Sequence, residues 1–155
     1  PGTVLVFVPS AILWISAEPP TAIAFAGPTQ SGFWIGILFA AIGLIFAAWT
    51  VRLFLRVGEG TPAPWDPPKK LVVCGPYRHV RNPMITSVLF MLGAESLLFS
   101  SWHLAGWTSI FFAINAIYFP LMEEPSLERR FGEDYRRYKA NVPRWVPRLR
   151  AWDAP

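Results

Sequence analysis

Apolar residues in this chain come in long runs, broken by short polar stretches. Residues 31–51 (SGFWIGILFAAIGLIFAAWTV) and 104–122 (LAGWTSIFFAINAIYFPLM) carry no charge, and residues 83–100 (PMITSVLFMLGAESLLFS) carry one, Glu95. Each run is near the roughly 20 residues an α-helix needs to cross the hydrocarbon core of a bilayer. The link Ser101-Trp102-His103 is short, so the last two runs are expected to pack as an antiparallel hairpin. Residues 3–17 (TVLVFVPSAILWISA) are apolar but shorter and contain Pro9; they read as a fourth span or a partly inserted helix. They lack the basic start of a cleaved signal peptide. The fold class expected is all-α: a polytopic helical membrane protein with about four transmembrane helices. Gly32, Gly36 and Gly43, with Ala40 and Ala47, give residues 31–51 a small-residue face for close helix contact.

After residue 122 the pattern changes. Glu124, Leu127, Phe131, Tyr135, Tyr138 and Val142 step by 3, 4, 4, 3 and 4, one face of a helix. Arg129, Arg130, Glu133, Arg136, Arg137 and Lys139 occupy the opposite face. This is the pattern of a C-terminal amphipathic helix lying on the cytoplasmic face of the membrane. Residues 58–82 are rich in Pro and Gly and read as a structured loop. The chain is thus expected to divide into N-terminal membrane helices (1–57) and a core (58–155). That core holds the loop 58–82, the hairpin 83–122, and a cytoplasmic helix and cap over 123–150.

Composition supports the membrane reading. Of 155 residues 53% are hydrophobic and 15% charged, where a soluble domain carries about a quarter charged. One cysteine, Cys74, excludes a disulfide scaffold, and two histidines without a partner at ligand spacing leave no metal site. The net charge of +4 is unevenly placed. Residues 1–51 hold no Lys or Arg, six lie between Arg52 and Arg81, and eight between Arg129 and Arg150. Nucleic-acid-binding domains also use basic clusters, but they are not half apolar. Both basic regions are therefore placed at the cytoplasmic side, with the lipid bilayer as the protein's surroundings.

The candidate chemistry gathers where the hairpin meets that side. With its turn near residue 102, residue 82 lies at the depth of residue 123, so Arg81 and Asn82 arrive beside Glu123 and Glu124. One reading is an interfacial ion pair that fixes helix ends. The other is a binding site. Asn82-Pro83 has the form of a helix start, whose free N–H groups suit an anion. Arg81 adds a charged fork, and Glu124 is suited to ribose hydroxyls. Tyr77, Phe131, Tyr135 and Tyr138 serve either as interfacial anchors or as faces for a base or a cation. No Walker loop and no strand–G-x-G-x-x-G–helix unit is present. Glu95 is an acid inside the hairpin: it faces a cavity or Asn115, or it reaches the outer interface. Cys74 reads as a passive loop thiol.

The run Gly75-Pro76-Tyr77-Arg78-His79-Val80-Arg81-Asn82-Pro83-Met84 is followed by Glu123-Glu124-x-x-Leu127. Then come Phe131-Gly132-x-x-Tyr135-x-x-Tyr138 and Val142-Pro143-Arg144-Trp145-Val146-Pro147. In these motifs the chain resembles the isoprenylcysteine carboxyl methyltransferase and phospholipid methyltransferase-like integral membrane proteins, over about residues 58–148. The resemblance implies S-adenosylmethionine (SAM) as methyl donor and a lipophilic or small acceptor: a prenylcysteine-like carboxylate, a lipid amine or a thiol. It implies cofactor contacts from Tyr77, His79, Arg81, Asn82, Pro83, Glu124, Leu127, Tyr135 and Tyr138, with Arg144 and Trp145 closing over the cofactor. Arg81, Glu123 and His79 are the catalytic candidates; a thiol or amine needs a base, and His79 and Glu123 are nearest. Many members have His in place of Asn82 and Tyr in place of Ile85, departures that bear on the acceptor. Two rivals stand beside this reading: an NADPH-dependent membrane reductase of the sterol reductase type, and a non-catalytic membrane protein that keeps the fold.

Overall fold

The computed structural model describes residues 3–16, 25–60 and 68–153. The junction after residue 16 and the Pro-rich part of the loop, residues 61–67, lie outside the described residues. Among those described there is helix and no strand. A π turn, Thr3–Phe7, leads into α1 (Val8–Ser16); α2 is Ser31–Arg56, α3 Pro83–Leu98, α4 Trp102–Tyr118 and α5 Glu124–Asn141.

Two of these helical stretches are long and apolar enough to cross a bilayer: α2, and the continuous helix that starts at Trp102. Thr3–Ser16 and α3 are shorter. Thr3–Ser16 rises only about 21 Å at 1.5 Å per residue, less than the roughly 30 Å of hydrocarbon. The expected break at residue 123 is absent. Pro120 has no N–H for the helical ladder, and a π turn, Phe119–Glu123, absorbs it and passes the chain into α5. The hairpin link also lies earlier than expected. Helix α3 stops at Leu98, Ser100 takes a left-handed φ of 46°, and Trp102 and His103 already belong to α4.

The chain divides into two compact units. The first comprises Pro1–Ile45 and Ser87–Asn115. Here α2 and α3 run antiparallel, and glycine sets how close they come. A Cβ on Gly36 would lie 2.9 Å from Leu98 Cγ, and one on Gly43 2.7 Å from Met91 Cγ and 2.9 Å from the Ser87 carbonyl oxygen. Only a residue without a side chain fits at that separation. The small-residue face expected of this helix is therefore its packing face, centred on Gly36 and Gly43. Leu98 also accepts a backbone hydrogen bond from Ala26 (2.6 Å), and Phe25 meets Phe33 and Phe99 edge to face. Glu95 does not pair with Asn115: the Asn115 amide donates to the Phe111 carbonyl (2.8 Å), while Glu95 Oε2 is buried without a partner. Leu38, Leu44, Ile45, Ile110 and Ile114 stay exposed, more apolar surface than water tolerates well.

The second unit comprises Phe46–Thr86 and Ala116–Pro155. Its core is Tyr135, Tyr138 and Val142, packed against Leu71, Val73, Leu127, Phe131 and Trp152. Of the two roles open to Tyr135 and Tyr138 in the sequence, their burial here removes that of anchors at the membrane interface. Tyr135 and Tyr138 are each 3% exposed and covered by the protein's own loop and tail. The helix is also bent within itself. Gly132 has φ 56° and ψ −129°, a conformation open to glycine and closed to side-chain-bearing residues. After α5 the chain folds back as a strap. Pro143 accepts from the Arg81 N–H (2.9 Å), and the N–H groups of Arg148 and Trp152 reach the carbonyls of His79 and Arg78 (both 3.0 Å).

Candidate functional site

The catalytic and cofactor-binding candidates selected from sequence all fall in the second unit. Pro76 opens the 3₁₀ turn Gly75–Arg78, which buries Tyr77. The next four residues lead into α3, where Pro83 is fully buried at the first helical position.

Glu124, at the start of α5, is the centre of the arrangement and is 3% exposed. Its Oε1 accepts from Arg81 Nη1 at 2.9 Å and from Arg144 Nε at 2.7 Å; its Oε2 lies 3.1 Å from Lys139 Nζ. Counting along the hairpin thus places Arg81 correctly beside Glu124. Burial pushes the Glu124 carboxyl up, but hydrogen bonds from Arg144 and Lys139 and the Arg81 charge outweigh it and hold it below the ordinary carboxylate range. Lys139 also reaches Glu128 at 2.8 Å. Three cations thus face two carboxylates, and one positive charge is left over.

Beside this cluster Arg81 Nε and Asn82 Nδ2 are buried and have no acceptor, each at a cost of about 1–3 kcal/mol. Glu124, suited to ribose hydroxyls in the sequence, is here held by the protein's own cations at both carboxylate oxygens.

The tyrosines are more structural than expected. Tyr138 donates its hydroxyl to the Tyr77 carbonyl at 2.7 Å, and the Tyr77 ring meets Phe54 edge to face. Burial pushes both phenols up. Tyr135 is the exception: its hydroxyl lies at Arg81, and burial and then the Glu124 charge raise it. Leu127 packs on the tyrosine cluster. Trp145 meets Phe119 at 5.9 Å, so the closing motif lies over the start of the π turn. His79 Nδ1 is 2.8 Å from the Arg148 carbonyl. Glu123 is half-buried and outside the ion cluster. Burial pushes the Cys74 thiol up, which makes it a poor nucleophile.

Sequence reasoning missed Lys139. A regular helix puts it on the outer, basic face, but the break at Gly132 interrupts that regularity, and its ammonium reaches Glu124. The glycine is the signal available in the sequence.

A family model for phospholipid methyltransferase matches residues 31–134. The match runs from the start of α2 into α5; it includes Arg81 and Glu124 and stops before Tyr135. No curated protein and no solved structure matches the chain. Two stretches able to cross a bilayer and a family match over more than half of the sequence lead to one conclusion: this is a membrane protein that belongs to the phospholipid methyltransferase family, and methyl transfer is the activity that membership carries.

Proposed function

We propose that the protein is a multi-pass, SAM-dependent membrane methyltransferase, acting on a lipophilic or small acceptor at the cytoplasmic face. The observation that carries this reading is the pair of buried, unpartnered donors, Arg81 Nε and Asn82 Nδ2, beside a cluster with one surplus positive charge. They fit the methionyl carboxylate of SAM. Bound there, SAM supplies an already activated methyl group on a sulfonium. Arg81 and Asn82 hold the cofactor by its carboxylate, and Glu124 and Arg144 keep the guanidinium aimed. Tyr135, packed in the core, sets its hydroxyl at Arg81 and helps to fix the guanidinium. The buried tyrosine cluster excludes water on that side, so that alignment of the acceptor with the methyl group is the protein's main task. Arg52 and Arg56 at the end of α2 and the Arg/Lys set after residue 128 support a cytoplasmic site.

Calorimetry on the detergent-purified protein tests the reading, with SAM and NADPH as ligands and Asn82→Ala in parallel. SAM is expected to bind, and the variant to bind it at least about tenfold more weakly, the size of one hydrogen bond to a charged group. NADPH binding without SAM binding would move the protein to reductase chemistry. Equal SAM affinity in Asn82→Ala would remove the carboxylate assignment.

A further inference from the structure

The second unit also carries an open groove of about 390 Å³, lined by Phe46, Trp49, Pro76, His79, Val80 and Pro147 among others. Its size is in the range of small-molecule sites, about 300–1,000 Å³. The walls are apolar, and two of them belong to α2, a helix able to cross a bilayer; Trp49 there is 46% exposed. Polar character comes from Arg78 and His79. Arg78 is committed, donating through Nε to the Trp152 carbonyl (2.9 Å) and pairing with Asp153. His79 is committed at one nitrogen only.

That commitment fixes the ring's chemistry. The partner of Nδ1 is a backbone carbonyl, the Arg148 oxygen at 2.8 Å. A carbonyl only accepts, so Nδ1 carries the proton. In the neutral ring Nε2 then bears the lone pair, and it is what the imidazole has left to offer as a base. Two residues further on, Arg81 belongs to the carboxylate cluster. One short segment thus contributes to an apolar groove with a base and to an anion site.

Building on the methyltransferase reading above, we propose that this groove holds the apolar tail of the methyl acceptor and that His79 Nε2 is the general base, so that the acceptor is a thiol or amine that loses a proton on methylation. The acceptor sulfur or nitrogen forms its new bond to the methyl carbon at the expense of the methyl–sulfur bond, whose electron pair stays on sulfur. The S–H or N–H proton passes to Nε2. An ionised carboxylic acid has no proton to give and does not need His79.

The test uses the full chain in detergent, with SAM and three acceptors of one tail length: dodecanethiol, dodecylamine and dodecanoic acid. His79→Asn keeps a donor for the Arg148 carbonyl and removes the base. The wild type is expected to methylate the thiol or the amine, and which of the two identifies the acceptor class. His79→Asn is expected to lose at least about 100-fold in kcat on that acceptor at saturating SAM, with SAM binding followed separately by calorimetry. Trp49→Ala is expected to raise KM about tenfold with kcat unchanged, the effect of one lost aromatic contact. Equal kcat in His79→Asn overturns the proposal. So does turnover confined to dodecanoic acid, or a wild type that binds SAM and methylates none of the three. A wild type that binds no SAM overturns the methyltransferase reading beneath it.

Discussion

The two compact units hold themselves together by opposite means. In the first, α2 and α3 meet through Gly36 and Gly43 against Leu98, Met91 and Ser87. That interface is a matter of shape: backbones approach closely because nothing projects between them. In the second, Glu124, Arg81, Arg144 and Lys139 meet through charge, and their positions are set by hydrogen-bond length rather than by volume. A shape-based interface is indifferent to pH and salt but intolerant of a single methyl group. A charge-based one tolerates neighbours of different size but not the loss of a partner. The candidate chemistry sits in the charge-based unit, where a ligand's own charge can join the network.

That contrast can be tested by substitution, starting with the largest effect. Glu124→Ala leaves the Arg81 guanidinium buried without its anion and should cost about 3–5 kcal/mol, read as the largest drop in melting temperature of the set. The same group gives the contrast its pH signature. The Glu124 carboxyl is held below its ordinary range, so its stabilisation is present above that range and is lost as pH falls through its folded-state value. The wild type should lose melting temperature below about pH 4.5, and Glu124→Gln should lack that component. Gly43→Ala should cost about 1–3 kcal/mol through overpacking against Met91 and the Ser87 carbonyl, with a pH profile parallel to the wild type. A Gly43→Ala protein as stable as the parent would break the shape-based account. Gly132→Ala meets no neighbouring atom, so its cost is backbone strain alone, about 1–3 kcal/mol. The smallest effect belongs to Lys139→Met. Lys139 is 39% exposed, and its removal should cost no more than about 1 kcal/mol.

Much of this is legible in the sequence, and the reasons differ by element. The apolar run of α2 needs only length and hydropathy, and its glycine spacing marks the packing face. The meeting of Arg81 and Glu124 follows from counting back along a hairpin, because helical rise is fixed. What stays hidden depends on irregular backbone. A proline such as Pro120 often ends a helix; here a π turn carries the chain through it. Gly132 breaks the periodicity that assigns Lys139 outward. The role of the tyrosine stripe stays open in the sequence because periodicity identifies an apolar face but not what covers it. Here Leu71, Val73 and Trp152 do so. Nor does sequence separation show that Arg148 and Trp152 return to His79 and Arg78, since a backbone hydrogen bond leaves no trace in residue type.

That return also fixes when the site can form. Trp152 closes on Arg78 across 74 positions and Glu124 on Arg81 across 43. A chain made from its N-terminus delivers Arg81 long before Glu124 exists, and the strap later still. Every residue of the contact between α2 and α3, from Gly36 to Leu98, therefore precedes Glu124 in the order of synthesis, and the ionic site, which also waits for Lys139 and Arg144, is the later of the two to have all its partners.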